Sequence, residues 1–128
     1  MGESFKDLRV WKCAVKMALA NYRLTSLFPD SERFGLTSQL RRAGVSAAAN
    51  ISEGYGRSSR GEYLQVLCIA RGSLCEVETL LIIARELGYG TDRALLEAEL
   101  LCTATSMQLN ALIHALRPES LSPISKLK

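Results

Sequence analysis

The chain is short of several things at once, and each shortage excludes something. Aromatic residues make up only 6% of its 128 residues, so few side chains are available as stacking platforms for single-stranded bases. Trp11 and Tyr22 fall in apolar helical rows and are expected in the core, which leaves Tyr55 and Tyr89. There is one histidine, His114, and the four cysteines Cys13, Cys68, Cys75 and Cys102 show no two-residue spacing. That pattern lacks the ligand clustering of a zinc site, and no metal or cofactor is expected. A cysteine nucleophile with His114 as base would also need a third group to orient the imidazole. Nothing in the spacing supplies one, so no catalytic residue is expected either, and His114 is read as resting near a helix C-terminus. No apolar run approaches the roughly 18 residues that cross a bilayer, and Met1-Gly2-Glu3-Ser4 lacks the basic start and apolar stretch of a secretory signal. The expected compartment is the cytoplasm, where the thiols serve as small buried hydrophobes and the triplet Asn50-Ile51-Ser52 carries no glycan.

What the chain does have is aliphatic residues at helical spacing, within a hydrophobic content of 48%. Leu36, Leu40, Ala43, Ala47 and Ile51 fall within roughly 80° on a helical wheel, a core-facing stripe. Beside them run Gln39, Arg42, Ser46, Asn50, Glu53 and Arg57, a polar row expected to hydrogen-bond a neighbouring helix or a partner. Ala43 to Ala49 contains nothing larger than Val, which predicts a close helix contact. Upstream, Leu8, Trp11, Val15, Ala18 and Tyr22 form one apolar row, with Val10, Ala14 and Met17 as a second. Pro29 disfavours helix in the residue before it and ends that segment. Gly54, Gly56 and Ser58-Ser59 are read as breaking the second helix, and Ser59-Arg60-Gly61-Glu62 as a capping box opening the third. Tyr63, Leu67, Ala70, Leu74, Val77, Leu81 and Ala84 then alternate at 4 and 3, with Leu80, Ile83 and Leu87 widening the stripe. Thr91 with Asp92 caps a fourth helix carrying Leu95, Ala98, Cys102, Thr105, Leu109, Leu112 and Leu116. Four long helices with short connectors predict an all-α fold, an antiparallel up-down four-helix bundle over residues 1–117, followed by a polar, disordered tail over 118–128. The breadth of the third helix's apolar stripe predicts a homo-oligomer.

Phe5-Lys6-Asp7-Leu8, Val10-Trp11, Phe28-Pro29, Phe34-Gly35-Leu36, Gln39-Leu40-Arg41-Arg42-Ala43, Val45-Ser46, Asn50-Ile51, Glu53-Gly54, Gly56-Arg57, Ala70-Arg71-Gly72-Ser73-Leu74, Glu76 and Glu78 together resemble the bacterial 23S rRNA intervening-sequence protein family, also called the four-helix-bundle protein family. The likeness spans residues 5 to about 115, with Gly44 and Ser52 standing where the pattern suggests Ala. The resemblance implies a four-helix bundle assembled into a five-fold ring, a link to RNA, and no established enzymatic activity. Five as the subunit number comes from the resemblance alone.

Charge divides the chain: residues 1–60 hold ten Lys or Arg against five acids, residues 61–117 four against seven. Arg9, Lys12, Lys16 and Arg23 lie within roughly 60° on the first helix with no acid among them, a ridge suited to phosphate backbones. Arg41 and Arg42 cannot share one face, so one is structural and the other exposed. Arg41, Arg57 and Arg60 complete the candidate nucleic-acid-binding set, and contact to structured RNA by shape and phosphate is the expected mode. Gln39, Arg42, Asn50, Glu53, Arg71, Ser73, Glu76 and Glu78 form the candidate polar network, read as setting helix register or a subunit interface. Its carboxylates and Arg also admit an acid/base enzyme, a lesser reading. The alternative from another class is a protein scaffold without direct nucleic-acid binding, similar to the accessory proteins of diversity-generating retroelements.

Overall fold

Most helix ends among the described residues fall where a cap or a glycine satisfies a backbone group. The computed structural model describes residues 4–117, so the expected tail over 118–128 lies outside the described residues. Four helices, α1 (Arg9–Thr25), α2 (Leu36–Tyr55), α3 (Arg60–Leu87) and α4 (Asp92–Leu116), account for most of it, and there is no strand among the described residues. Each packs against its two neighbours around a square, α1 on α2 and α4, α3 on α2 and α4, while the backbones of the diagonal pairs stay farther apart. This is the all-α up-down bundle.

A short 3-10 turn at Phe5–Asp7 precedes α1, closed by a capping box between Ser4 and Asp7 that the sequence reading missed. The box expected at Ser59 is half made: the Ser59 hydroxyl accepts from the Glu62 amide, but Glu62 turns to the Ser58 hydroxyl instead of reaching back. Thr91 caps α4 through the Ala94 amide at 3.2 Å. Gly88, at φ 75°, takes the left-handed conformation that ends α3, and Gly90, at φ 79°, leaves room for Leu24, whose Cδ1 would stand 2.6 Å from a β-carbon there. Gly54 does not break α2. It lies buried within the helix, where a β-carbon would meet the Tyr63 ring at 3.1 Å, and the helix ends two residues later at Gly56.

The core runs along the shared axis as layers of aliphatic side chains: Met17 and Leu24 from α1, Leu40 and Ile51 from α2, Leu67, Leu74 and Leu81 from α3, Leu109 and Ile113 from α4. In α1 the two apolar rows exchange roles. Val10, Ala14, Met17 and Leu24 are buried, whereas Leu8, Trp11, Val15 and Ala18 are half-buried and Tyr22 is exposed. The small residues of α2 do admit a close approach: a β-carbon on Gly44 would stand 2.7 Å from the Asn21 amide nitrogen and 3.5 Å from the Ala18 Cα.

Candidate nucleic-acid interface

The antiparallel topology brings the start of α1 beside the end of α4. Arg9, Lys12 and Lys16, one turn apart on α1, line a groove of about 260 Å³ floored by Cys13 and Leu101 and edged by Gln108. All three cations are exposed and none forms an ion pair among the described residues. No acid lines the groove. Its floor is fixed by the Thr105 hydroxyl, which donates to the Leu101 carbonyl at 2.7 Å and lies 3.3 Å from the Cys13 sulfur. A hydrogen-bonded floor with three exposed, unpaired cations above it is suited to a phosphodiester, because long cationic side chains can reach its charge from one helix face.

The other expected cations divide. Arg23, the fourth member of the ridge, pairs with Glu97 of α4 at 3.3 Å. Arg41 is a strut: its Nε donates to the Thr25 hydroxyl at 2.7 Å and its guanidinium lies 4.5 Å from the centre of the Tyr22 ring. The sequence grouped Arg41 with the free cations and Arg42 with the structural ones. Arg41 is instead the tied-down one, while Arg42 is exposed and lines the α2/α3 cleft beside Gln39 and Glu76. Arg57 pairs with Glu53 one turn back at 3.6 Å, and Arg60 is exposed in the first turn of α3. Both lie at the same end of the bundle as Arg9.

The polar network is only partly assembled. Ser46 and Ser73 share a hydrogen bond of 2.9 Å across α2 and α3, and the Asn50 amide donates to the Ser46 carbonyl and hydroxyl. Gln39, Arg42 and Glu76 surround the same cleft of about 320 Å³. Glu53 leaves it for Arg57, the Arg71 guanidinium reaches the Cys68 sulfur at 3.8 Å, and Glu78 faces α4 with Glu99 and Cys102. The carboxylates are therefore on different faces rather than opposed across one site.

Sequence reasoning passed over three features. Asn21 is fully buried and neither atom of its amide has a hydrogen-bond partner among the described residues. Glu32 joins both connections at one end of the bundle, accepting from the Leu36 amide and from the Tyr89 hydroxyl, each at 3.0 Å; this bond raises the Tyr89 phenol above its usual range. Cysteine burial was overstated. Cys102 is buried, and desolvation, aided by Glu78 and Cys75, pushes its thiol up to about 12, whereas Cys75 is exposed and Cys13 and Cys68 are half-buried. Among the described residues no three His, Cys, Asp or Glu side chains gather as a metal site, and no helix is long and apolar enough to cross a membrane.

Residues 6–111 match the family described as 23S rRNA-intervening sequence protein. The chain belongs to that family. A crystal structure of a protein of unknown function from the S23 ribosomal protein family of Bacteroides thetaiotaomicron superposes with a TM-score of 0.74 at 25% identity, covering 81% of this chain and 97% of that one. No curated protein matches. Membership in the 23S rRNA-intervening sequence family and the shared bundle agree with the resemblance carried by the motifs from Phe5 to Glu78.

Proposed function

We propose that this 23S rRNA-intervening sequence family protein is a non-enzymatic, self-associating bundle that binds structured RNA by phosphate contact in the α1/α4 groove. The carrying observation is the groove itself: Arg9, Lys12 and Lys16 converge without an acid in the lining. Two other surfaces support self-association. The outer face of α1 and α2 forms an almost wholly apolar hollow of about 320 Å³, lined by Trp11, Val15, Leu19, Tyr22, Val45 and Ala48 among others. On α4, Leu96, Leu100 and Met107 are 51%, 61% and 68% exposed, at the 4 and 7 spacing of one helical seam. A ridge and a hollow on different faces associate head to tail, the arrangement that closes into rings. Each ring member then repeats the cationic groove, and a second RNA contact becomes intramolecular. The separation of Glu53, Glu76 and Glu78 onto different faces supports a binding rather than an acid/base role.

The test is fluorescence anisotropy with a structured RNA hairpin, comparing the wild type with Arg9→Gln/Lys12→Gln/Lys16→Gln at equal assembly mass by light scattering. Salt-sensitive binding that the triple variant loses is expected. An intact oligomer that binds no RNA at low salt contradicts the reading and favours the scaffold.

A further inference from the structure

All but one of the aromatic side chains pack against a ring or under a structural arginine. Phe5 meets Trp11 edge-on, Phe28 leans on Tyr89, Tyr55 meets Tyr63 edge-on, and Tyr22 lies under Arg41. The remaining one, Phe34, is 86% exposed, more than any other large hydrophobic residue among those described. It stands in the turn between α1 and α2, with the Arg33 guanidinium 5.0 Å from its ring centre. That turn is tied down: Glu32 accepts from the Leu36 amide and the Tyr89 hydroxyl, and the Arg33 and Gly35 amides donate to the Asp30 and Glu32 carbonyls, each at 3.0 Å. A ring presented from a fixed turn has little freedom left to lose on binding. Tyr55 and Tyr89, the rings expected to be free for stacking, are instead half-buried against their partners.

Resting on the RNA-binding reading above, we infer that Phe34 is a stacking platform for an unpaired base of the bound RNA, with Arg33 against one side of the ring and the base against the other. Every base offers a flat π-face to such a ring, and the guanidinium adds a cation–π contribution. A protein partner fits less well. A stable interface buries about 800 Å² on each side, whereas Asp30, Ser31 and Arg33 beside Phe34 are all exposed and polar. Asp30 and Glu32 share the turn with Arg33 and offset its charge, so the contact adds stacking and releases few counterions. The turn stands at the far end of α1 from Arg9. The groove thus holds paired RNA by its phosphates, and Phe34 takes a strand that leaves the paired region.

The experiment measures anisotropy at two salt concentrations with a blunt RNA duplex and with the same duplex carrying a single-stranded extension. About ten nucleotides suffice, since at a rise of about 3.4 Å each they outreach α1. Wild type is compared with Phe34→Leu, which keeps an apolar side chain without a ring, and with Phe34→Trp, their masses checked by light scattering. Phe34→Leu is expected to lower affinity for the extended duplex roughly fivefold or more, the lower end of one base–aromatic stack, by the same factor at both salt concentrations. Phe34→Trp is expected to match or exceed the wild type. An extended duplex that wild type and Phe34→Leu bind equally overturns the assignment, as does a loss that Phe34→Trp shares. A loss of equal size on the blunt duplex, which has no unpaired base, overturns it too. Phe34→Leu subunits that no longer assemble would make Phe34 a subunit contact, which also overturns it. Failure of the wild type to bind either RNA overturns the RNA reading itself, a separate result.

Discussion

A β-carbon on residue 44 would stand 2.7 Å from the Asn21 amide nitrogen, and that one distance explains why residue 44 carries no side chain. Gly44 looks like a flaw in a helix, because glycine costs about 0.5–1 kcal/mol there relative to alanine. The neighbouring Asn21 reverses the balance. Gly44→Ala is expected to destabilise the fold by about 1–3 kcal/mol through overpacking, and Asn21→Ala to restore most of it in the double variant, as measured by urea unfolding. Additive losses in the double variant would separate the two residues. Cys102 gives a second test. Its thiol titrates at 9.0 in the reference state and is raised to about 12 in the fold. Between those values the unfolded chain releases a proton that the folded chain keeps, so stability is full below pH 9 and falls as pH rises toward 12. Cys102→Val is expected to make the decline between pH 9 and 10.5 shallower, and maleimide at neutral pH to label exposed Cys75 well before Cys102.

Elements differed in how far their sequences could be read. In α3 the 4 and 3 alternation from Leu67 to Ala84 is the buried face, because nothing competes with it. In α1 two rows were available, and the buried one contains Asn21. A polar residue in the true core row makes its rival look the better candidate, so Tyr22 was placed inside when it lies outside under Arg41. In α4 the expected row holds from Leu95 to Leu109 and then passes to Ile113, since a 3.5-residue repeat drifts around a 3.6-residue helix by about 20° per heptad. Arg41 and Arg42 were known to diverge, but only the position of the Thr25 hydroxyl decides which one is tied down. The link through Glu32 was invisible because it joins connections 57 residues apart. Glu32→Ala removes partners from the Leu36 amide and the Tyr89 hydroxyl together and is expected to cost about 1–3 kcal/mol in thermal unfolding. Tyr89→Phe should cost less, since it leaves the helix-start bond in place, and equal losses would contradict this division.

At the scale of the whole molecule, the bundle was legible from periodicity and the family from the motifs between Phe5 and Glu78, whereas the groove was not. Arg9, Lys12 and Lys16 share a face of α1 in any helical reading, but Gln108 and Leu101 come from the far end of the chain, and only the antiparallel closure of α4 on α1 sets them together. The exposed seam on α4 belongs to this scale too. Leu100→Glu places a charge on its most central aliphatic residue, and light scattering is expected to show dissociation with helicity by circular dichroism unchanged. An unchanged mass would remove that seam from the assembly.

The central claim is that the α1/α4 groove holds phosphates, and a salt titration of RNA affinity tests it most directly. Each phosphate contacted contributes about −0.7 to −0.9 to the slope of log affinity against log salt. Three cations predict a slope of about −2 to −3 for each occupied groove, reduced by about one in Lys12→Gln on an RNA short enough to fill a single groove. A slope near zero, or one that Lys12→Gln leaves unchanged, would contradict the account.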